Sequence, residues 1–303
     1  MTTLTTPSTV APPARRGAAP GASGGRRWAL LFLAPALALV LLLLIVPFVH
    51  TFYRSFFVDN GIERSFNGLG NYAVLLQAPS FLRSLLNTFM WVAGTLLLPV
   101  LIGLVVAAGT WQLKLGAWLR FSLVVPYAIS GAATAVLWTF MLQSDGVLNS
   151  VLATLGLPPQ PWLLEWPMNT LTMIVAATWQ GTGAAVILFL VGLQAVPVST
   201  LEAARIDGAE GWRLFRHVTL PQLKPITVVV VGINIVNSLK TFDIILLLTN
   251  GGPGTASETL ALTMYRETFT LSRYGTGAAV AVVLTLIVVA VSWLYLRRQL
   301  RAS

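Results

Sequence analysis

The stretch LEAARIDGAEGWRLFRHVTLP, Leu201–Pro221, lies in a polar connection, residues 194–225, between two long apolar runs. Its first half is a good helix former, since Leu, Ala, Glu and Arg all rank high in helix propensity. Pro197 with Ser199 or Thr200 reads as an N-terminal cap, and Glu202 falls in the first turn, where the helix dipole favours negative charge. Gly208 interrupts the run. A second short helix is expected over roughly 210–217, and Pro221 and Pro225 are expected to end it. Helix, glycine turn and helix make a compact knob. Its polar positions are Glu202, Arg205, Asp207, Glu210, Arg213 and Arg216. Its apolar positions are Ala203, Ala204, Ile206, Ala209, Trp212, Phe215 and Val218. Such a knob suits a groove in a partner protein and equally a solvated position on a membrane surface. Periodicity alone leaves both readings open.

The flanking runs set the fold class. About 20 apolar residues suffice to cross the hydrocarbon core of a bilayer. Six stretches qualify: 28–49, 86–109, 119–142, 170–193, 226–249 and 274–296. The first exceeds the roughly 7–15 apolar residues of a cleaved signal peptide, so it reads as a retained span. Of the 303 residues, 56% are apolar and only 10% charged, against roughly 25% charged in soluble domains. So few charges cannot coat a soluble globule, and the apolar excess must face lipid. The expected fold is an all-α integral membrane bundle over 28–297. Residues 1–27, rich in Ala, Pro, Thr, Gly and Arg, read as a disordered tail, and 298–303 as a second short tail. Pro47, Pro99, Pro126 and Gly181 fall inside or at the ends of spans, where neighbouring helices can satisfy the freed backbone.

A net charge of +9 on a soluble protein would suggest nucleic acid; in a membrane protein it bears on orientation, and no nucleic-acid partner is expected. Six crossings put both termini on one side. That side holds thirteen of the 19 Lys and Arg, the other holds five, and Lys240 falls within the fifth span. The excess places both termini in the cytoplasm, with the chain multi-pass in the membrane. Chemistry is limited. There is no Cys, and His50 and His217 are far apart, so no metal site is expected. No Ser/His/Asp set or paired carboxylates suggest an enzyme. No Gly-Lys dipeptide occurs, so a phosphate-binding loop of the Walker A type is absent. Any nucleotide site of that type would belong to another polypeptide.

Glu202-Ala203-Ala204, Gly208 and then Val218-Thr219-Leu220-Pro221 resemble the EAA signature of ABC-importer permease subunits: EAA, three residues, Gly, nine residues, Ile-x-Leu-Pro. The spacing is kept throughout, and Val218 replaces Ile. Asp207 and Ala209 beside the glycine resemble the carbohydrate-type version. Gly68-Leu-Gly-Asn-Tyr72, Pro126-Tyr127, and Thr241-Phe-Asp with Leu248-Thr-Asn-Gly-Gly-Pro253 extend the likeness, the last to the MalF/UgpA-like subunit of sugar importers. The resemblance implies a six-helix MetI-like permease forming half of a translocation path. It implies a MalG/UgpE-like second permease, two cytoplasmic ATPase subunits that bind ATP and Mg, and an extracytoplasmic solute-binding protein. No cofactor would be held by this chain. The knob would be the coupling helix, with Glu202, Ala203, Ala204, Asp207, Gly208, Ala209, Trp212, Phe215, Leu220 and Pro221 against an ATPase cleft.

A solute path is sought among uncharged polar residues in the spans. Asn234, Asn237, Ser238 and Thr241 share one face of a helix at 100° per residue, and amides and hydroxyls suit a neutral sugar. Interhelical hydrogen bonding would place the same residues inside a bundle. Tyr127 and Ser130 in the third span, and Trp179, Gln180 and Thr182 in the fourth, are further candidates. Gly181, Gly183 and Gly192 read as sites of close helix approach. Lys240 and Asp243, at i,i+3 on the fifth span, are expected to point away from the polar face. They can pair with each other or serve the solute, and they are the only ionisable groups that a stand-alone secondary transporter would have. Sugars and glycerol-3-phosphate both remain open as substrates.

Overall fold

The computed structural model describes residues 22–110, 116–239 and 241–302. The chain divides into two compact units, residues 1–50 and 51–303. The first unit is helical: α1 (Ala22–Val40) passes through a π-helical turn, Leu41–Ile45, into α2 (Val46–Arg54). The wide turn precedes Pro47, whose missing N–H frees a carbonyl one turn back. Helix therefore begins at Ala22, inside the expected tail, whose residues 1–21 lie outside the described ones.

The second unit opens with a two-stranded hairpin, β1 (Phe57–Asp59) and β2 (Arg64–Phe66), pairing Phe57 with Phe66 and Asp59 with Arg64. After α3 (Gly70–Gln77) comes α4 (Pro79–Thr110), which starts well before residue 86 because Pro79 fits a first helical position. Next are α5 (Gly116–Val124), a 3₁₀ turn at Val125–Ala128, α6 (Gly131–Leu142), α7 (Val147–Thr154) and α8 (Met168–Gln194). The knob and its exit comprise α9 (Val198–Ile206), α10 (Gly211–Leu214), a π-helical turn at Phe215–Thr219 and α11 (Leu220–Gln222). Finally come α12 (Lys224–Leu239), α13 (Asp243–Thr249), α14 (Leu260–Tyr265) and α15 (Tyr274–Ala302).

Among the described residues, four helical stretches are long and apolar enough to cross a membrane: 31–54, 79–110, 168–194 and 274–297. Two more arise only if bent pairs count as single spans. The third and fifth stretches expected from hydropathy, 119–142 and 226–249, are thus not continuous helices. Hydropathy measures length, not backbone geometry. In the third, the chain bends by 111° between Phe121–Ala128 and Gly131–Thr154. Pro126 lacks a donor there, and the Ser130 Oγ accepts the Ala133 N–H to start α6 afresh (3.2 Å). In the fifth, Ser238 and Thr241 hydroxyls donate to the carbonyls of Ile235 and Asn237, and Phe242 leaves helical geometry at φ −140°.

The core sits where α4 crosses α8. Trp91, Met173, Phe189 and Leu193 are essentially inaccessible. Gly103 lets the two helices touch: a Cβ there would lie 2.6 Å from the Ala185 Cβ. At the end of the bundle remote from the knob, polar side chains bind backbone. Asn87 donates to the carbonyls of Ala256 (2.7 Å) and Glu258 (2.8 Å) and accepts from the Trp166 indole (3.0 Å). Asn71, in the Gly-Leu-Gly-Asn-Tyr motif, donates to the Ser55 and Phe57 carbonyls at 2.8 Å each, and so ties α3 to the hairpin. Asp59 closes the hairpin, accepting from Arg54 (2.6 Å) and from the Gly61 N–H (3.0 Å). Burial alone would push its carboxyl up. The Arg54 hydrogen bond, the Gly61 N–H and the charges of Arg54 and Arg64 outweigh that and hold it below 3.8.

Asn87→Leu leaves two buried carbonyls and an indole N–H without partners, and is expected to cost roughly 2–5 kcal/mol, read as a lowered thermal midpoint of the purified protein. Asp59 behaves as a group whose folded pKa is depressed, so its contribution is present above the unfolded value and lost as pH falls through the folded one. Asp59→Asn should therefore loosen the hairpin at pH 7, measured by amide exchange at residues 57–66, and the gap from wild type should close as pH falls below 3.8.

Candidate functional site

The knob begins one turn earlier than its polar residues suggest. Pro197, extended at ψ 130°, occupies the N-cap position of α9 without a side-chain cap. Its carbonyl accepts the Thr200 N–H (3.1 Å), so Ser199 and Thr200 lie inside the first turn and Glu202 beyond it. The other end explains the Ala204-to-Gly208 spacing. The Ala209 N–H donates to the Ala204 carbonyl (2.9 Å) and the Gly208 N–H to that of Arg205 (3.0 Å), with Gly208 at φ +81°. This is a Schellman stop, which requires a left-handed residue just past the helix. A Cβ at Gly208 would meet nothing within 4 Å, so backbone conformation alone demands glycine. Gly211, at φ +51°, turns the chain into α10. Pro221 and Pro225 do not end the second helix. They sit in the first turns of α11 and α12, where a missing N–H costs nothing.

Leu201 is buried and anchors the knob among Phe189, Leu193 and Leu223. Glu202, Ala203, Asp207, Gly208 and Pro221 are exposed, whereas Ala204, Ala209, Phe215 and Leu220 are half-buried. Ile206 is 87% and Trp212 69% exposed. Trp212 leans on Phe215 with ring centroids 5.4 Å apart. A cavity of about 620 Å³ separates the knob from the end of α4, between Val105, Gly109, Arg205, Glu210 and Phe215. From the knob the chain turns by 68° at Leu223 directly into α12. Leu223 is fully buried, and with Ile226 it fills the notch at Gly192.

The far end of α12 opens on a second cavity of about 330 Å³. Of the nine path residues expected from sequence, it gathers Tyr127, Gln180, Asn234, Asn237, Ser238 and Thr241. The other three are used elsewhere. Ser130 caps α6, and Trp179 packs edge-on against Trp138 at 6.1 Å. Thr182 is buried, its hydroxyl donating to the Thr178 carbonyl. Gly183 and Gly192 do mark close approaches, of Leu123 and Ile226 respectively, whereas Gly181 lines the cavity. The wall also contains Thr95, Pro99 and Phe242, which the sequence reading did not select, and Asp243, for which it left a solute role open.

Asp243 is a correction. On an unbroken helix it would point away from Asn234. Because the helix stops at Leu239 and restarts at Asp243, it faces the same cavity and is exposed. Lys240 lies outside the described residues, and its pairing with Asp243 with it. The polar groups are partly committed. The Gln180 amide donates to the Ile129 carbonyl (2.6 Å) and that of Asn234 to Val230 (2.9 Å), which leaves their side-chain oxygens as acceptors. Asn237 is exposed and presents both donor and acceptor. A solute meeting this wall finds amides, a hydroxyl, one carboxylate and two aromatic rings. Among the described residues, no His, Asp and Glu group is placed to hold a metal ion.

A bundle with a helical knob at one end and a polar cavity inside it is the architecture of a membrane transport subunit. The chain belongs to the family described as "Binding-protein-dependent transport system inner membrane component", whose sequence model matches residues 30–301. It is 36% identical over 277 residues to the probable ABC transporter permease protein PH1215 of Pyrococcus horikoshii, covering 88% of this chain and 94% of that protein. It is 34% identical over 286 residues to the alpha-glucoside transport system permease protein AglF of Rhizobium meliloti, covering 92% and 83%. The fold is that of a chain in the crystal structure of a bacterial ABC transporter involved in import of the acidic polysaccharide alginate, with a TM-score of 0.78, 22% identity, and 91% and 96% of the two chains covered. The protein is therefore a multi-span permease subunit, and not an enzyme with an ATP site of its own.

Gly208→Val forces a β-branched residue into the left-handed region at about 1–2 kcal/mol or more, and should speed amide exchange at Ala209. Gly208→Asn, which tolerates that conformation, should stay close to wild type in the same measurement.

Proposed function

We propose that this chain is one of the two permease halves of an ATP-driven, binding-protein-dependent importer of a neutral sugar. Its partners are a MalG/UgpE-like permease, two cytoplasmic ATPase subunits and an extracytoplasmic solute-binding protein. Both termini and the knob lie in the cytoplasm, on the side favoured by the Lys and Arg excess. The observation that carries the proposal is that α12 joins the two sites: the knob is fused to its start through a buried elbow, and the polar cavity lines its end.

Glu202, Ala203, Asp207 and Trp212 form the face that enters the ATPase cleft. When ATP closes the ATPase dimer, the knob moves. The Leu223 elbow, seated against Gly192, passes that motion to α12. Its far end is free to tilt because the helix stops at Leu239, while α13 stays anchored through Ile244, Ile245 and Leu248 in the remote core. Asn234 and Asn237 then alternate between the two openings. Their amides bind sugar hydroxyls, and Tyr127 and Phe242 offer faces for the apolar side of a pyranose ring. The described lining has no Lys or Arg, which favours a neutral sugar over glycerol-3-phosphate. The sugar assignment is further supported by the family's α-glucoside relative.

The test is uptake of labelled α-glucosides into vesicles containing the complete complex. Uptake should require ATP, both ATPase subunits and the binding protein. Uptake by this chain alone, or uptake abolished only by collapsing an ion gradient, would sink the proposal. Asn234→Leu with Asn237→Leu should cut sugar uptake roughly tenfold or more, the scale set by unpaired hydroxyls in a polar site, while ATPase subunits still co-purify. Unchanged uptake would move the path to another helix.

A further inference from the structure

A groove of about 450 Å³ lies between the elbow and α15, distinct from both cavities above and sharing only Leu220 and Pro221 with the expected coupling residues. One wall is a stripe along the knob exit and α12. Arg216, Leu220 and Lys224 recur every four residues, and Thr227, Val228 and Val231 continue the line. The stripe is cationic at one end and aliphatic at the other. The opposite wall is the Tyr295 ring, fixed by its hydroxyl donating to the Val228 carbonyl (2.6 Å). Arg216 and Lys224 are exposed, and Arg216 makes no ion pair among the described residues. In sequence, Arg297, Arg298 and Arg301 follow Tyr295 closely.

A site with two cations at its mouth, an interfacial tyrosine and an aliphatic channel running along a spanning helix matches one chemistry: a phosphate diester carrying an acyl chain. Basic recesses between helices at the cytoplasmic face attract anionic headgroups, and each Lys or Arg near that surface adds to the attraction. Aromatic residues sit at headgroup depth for the same amphipathic reason. We infer that this groove binds an anionic phospholipid of the cytoplasmic leaflet, with the phosphate between Arg216 and Lys224 and one acyl chain along Val228 and Val231. The lipid would then touch the elbow that links knob to cavity, so membrane charge would bear on coupling. The inference rests on the cytoplasmic placement of the knob, and its readouts involve no solute, so it can fail or stand independently of the sugar assignment.

The complete complex is reconstituted in nanodiscs of phosphatidylcholine with or without phosphatidylglycerol, and retained lipid is counted by native mass spectrometry after detergent exchange. Wild type should retain phosphatidylglycerol over phosphatidylcholine. Arg216→Gln with Lys224→Gln should lower that retention about tenfold. Val231→Trp, which fills the acyl end without changing charge, should lower it as well. Equal retention of the two lipids, or no loss in the variants, overturns the inference. So does displacement of the lipid by inorganic phosphate, which would mark a site for the free anion, or a photo-crosslink from position 231 that reaches a protein subunit in place of lipid. Should both variants fail to assemble, wild type still decides. Phosphatidylglycerol, and not phosphatidylcholine, must protect Lys224 from amine acylation, and absence of that protection overturns the inference.

Discussion

In hydrocarbon there is no water to complete a broken helix, so each freed N–H or carbonyl costs several kcal/mol unless the protein or a wet cavity takes it up. That constraint arranges this molecule. Among the described residues, the chain leaves α-helical geometry near 125–130 and at 241–242. Both departures border the same cavity. At the first, Gln180 reaches across to the Ile129 carbonyl, so a residue expected to serve a solute also repairs the backbone. At the second, hydroxyls of Ser238 and Thr241 occupy helix carbonyls. Irregular backbone and polar side chains occur together because each makes the other tolerable.

The opposite end of the bundle obeys the same rule with side chains in place of solvent. Asn87 fills all of its hydrogen-bonding positions, donating to two backbone carbonyls and accepting from the Trp166 indole and the Thr170 hydroxyl, all from distant parts of the chain. Glu258 is buried beside Arg266, and burial pushes its carboxyl up, with the Arg266 charge opposing. The Asn250–Gly254 turn, with left-handed residues at 250, 251 and 254, is held beneath this network through Asn169 and Ser257. This end is tied together by hydrogen bonds, and the proposed transport cycle assigns its movement to α12 and the knob.

Much of this was legible in the residues themselves. The glycine turn at 208 could be read because a left-handed stop has few chemical solutions, and the apolar runs at 86–109, 170–193 and 274–296 because length and hydropathy suffice for a straight span, though not for its exact ends. The broken spans could not be read. An apolar count runs straight through Phe242, and a helical wheel then assigns Asp243 to the wrong side. Ser130 and Trp179 were selected for their chemistry, but a cap and a ring contact claimed them, and neither demand leaves a mark at a single position. Pro99 and Thr95 joined the cavity wall from α4 only because that helix crosses α8 as closely as it does, a long-range fact that no local pattern contains.

That crossing has one more implication. Where Gly103 meets Ala185 there is no side chain to bend aside, and backbone sits on backbone like interlocked teeth. Such a seam resists sliding, because the helical pitch sets its next equivalent register about 5.4 Å away. In the proposed transport cycle this contact therefore favours rocking of the pair about a common axle over a slide along it.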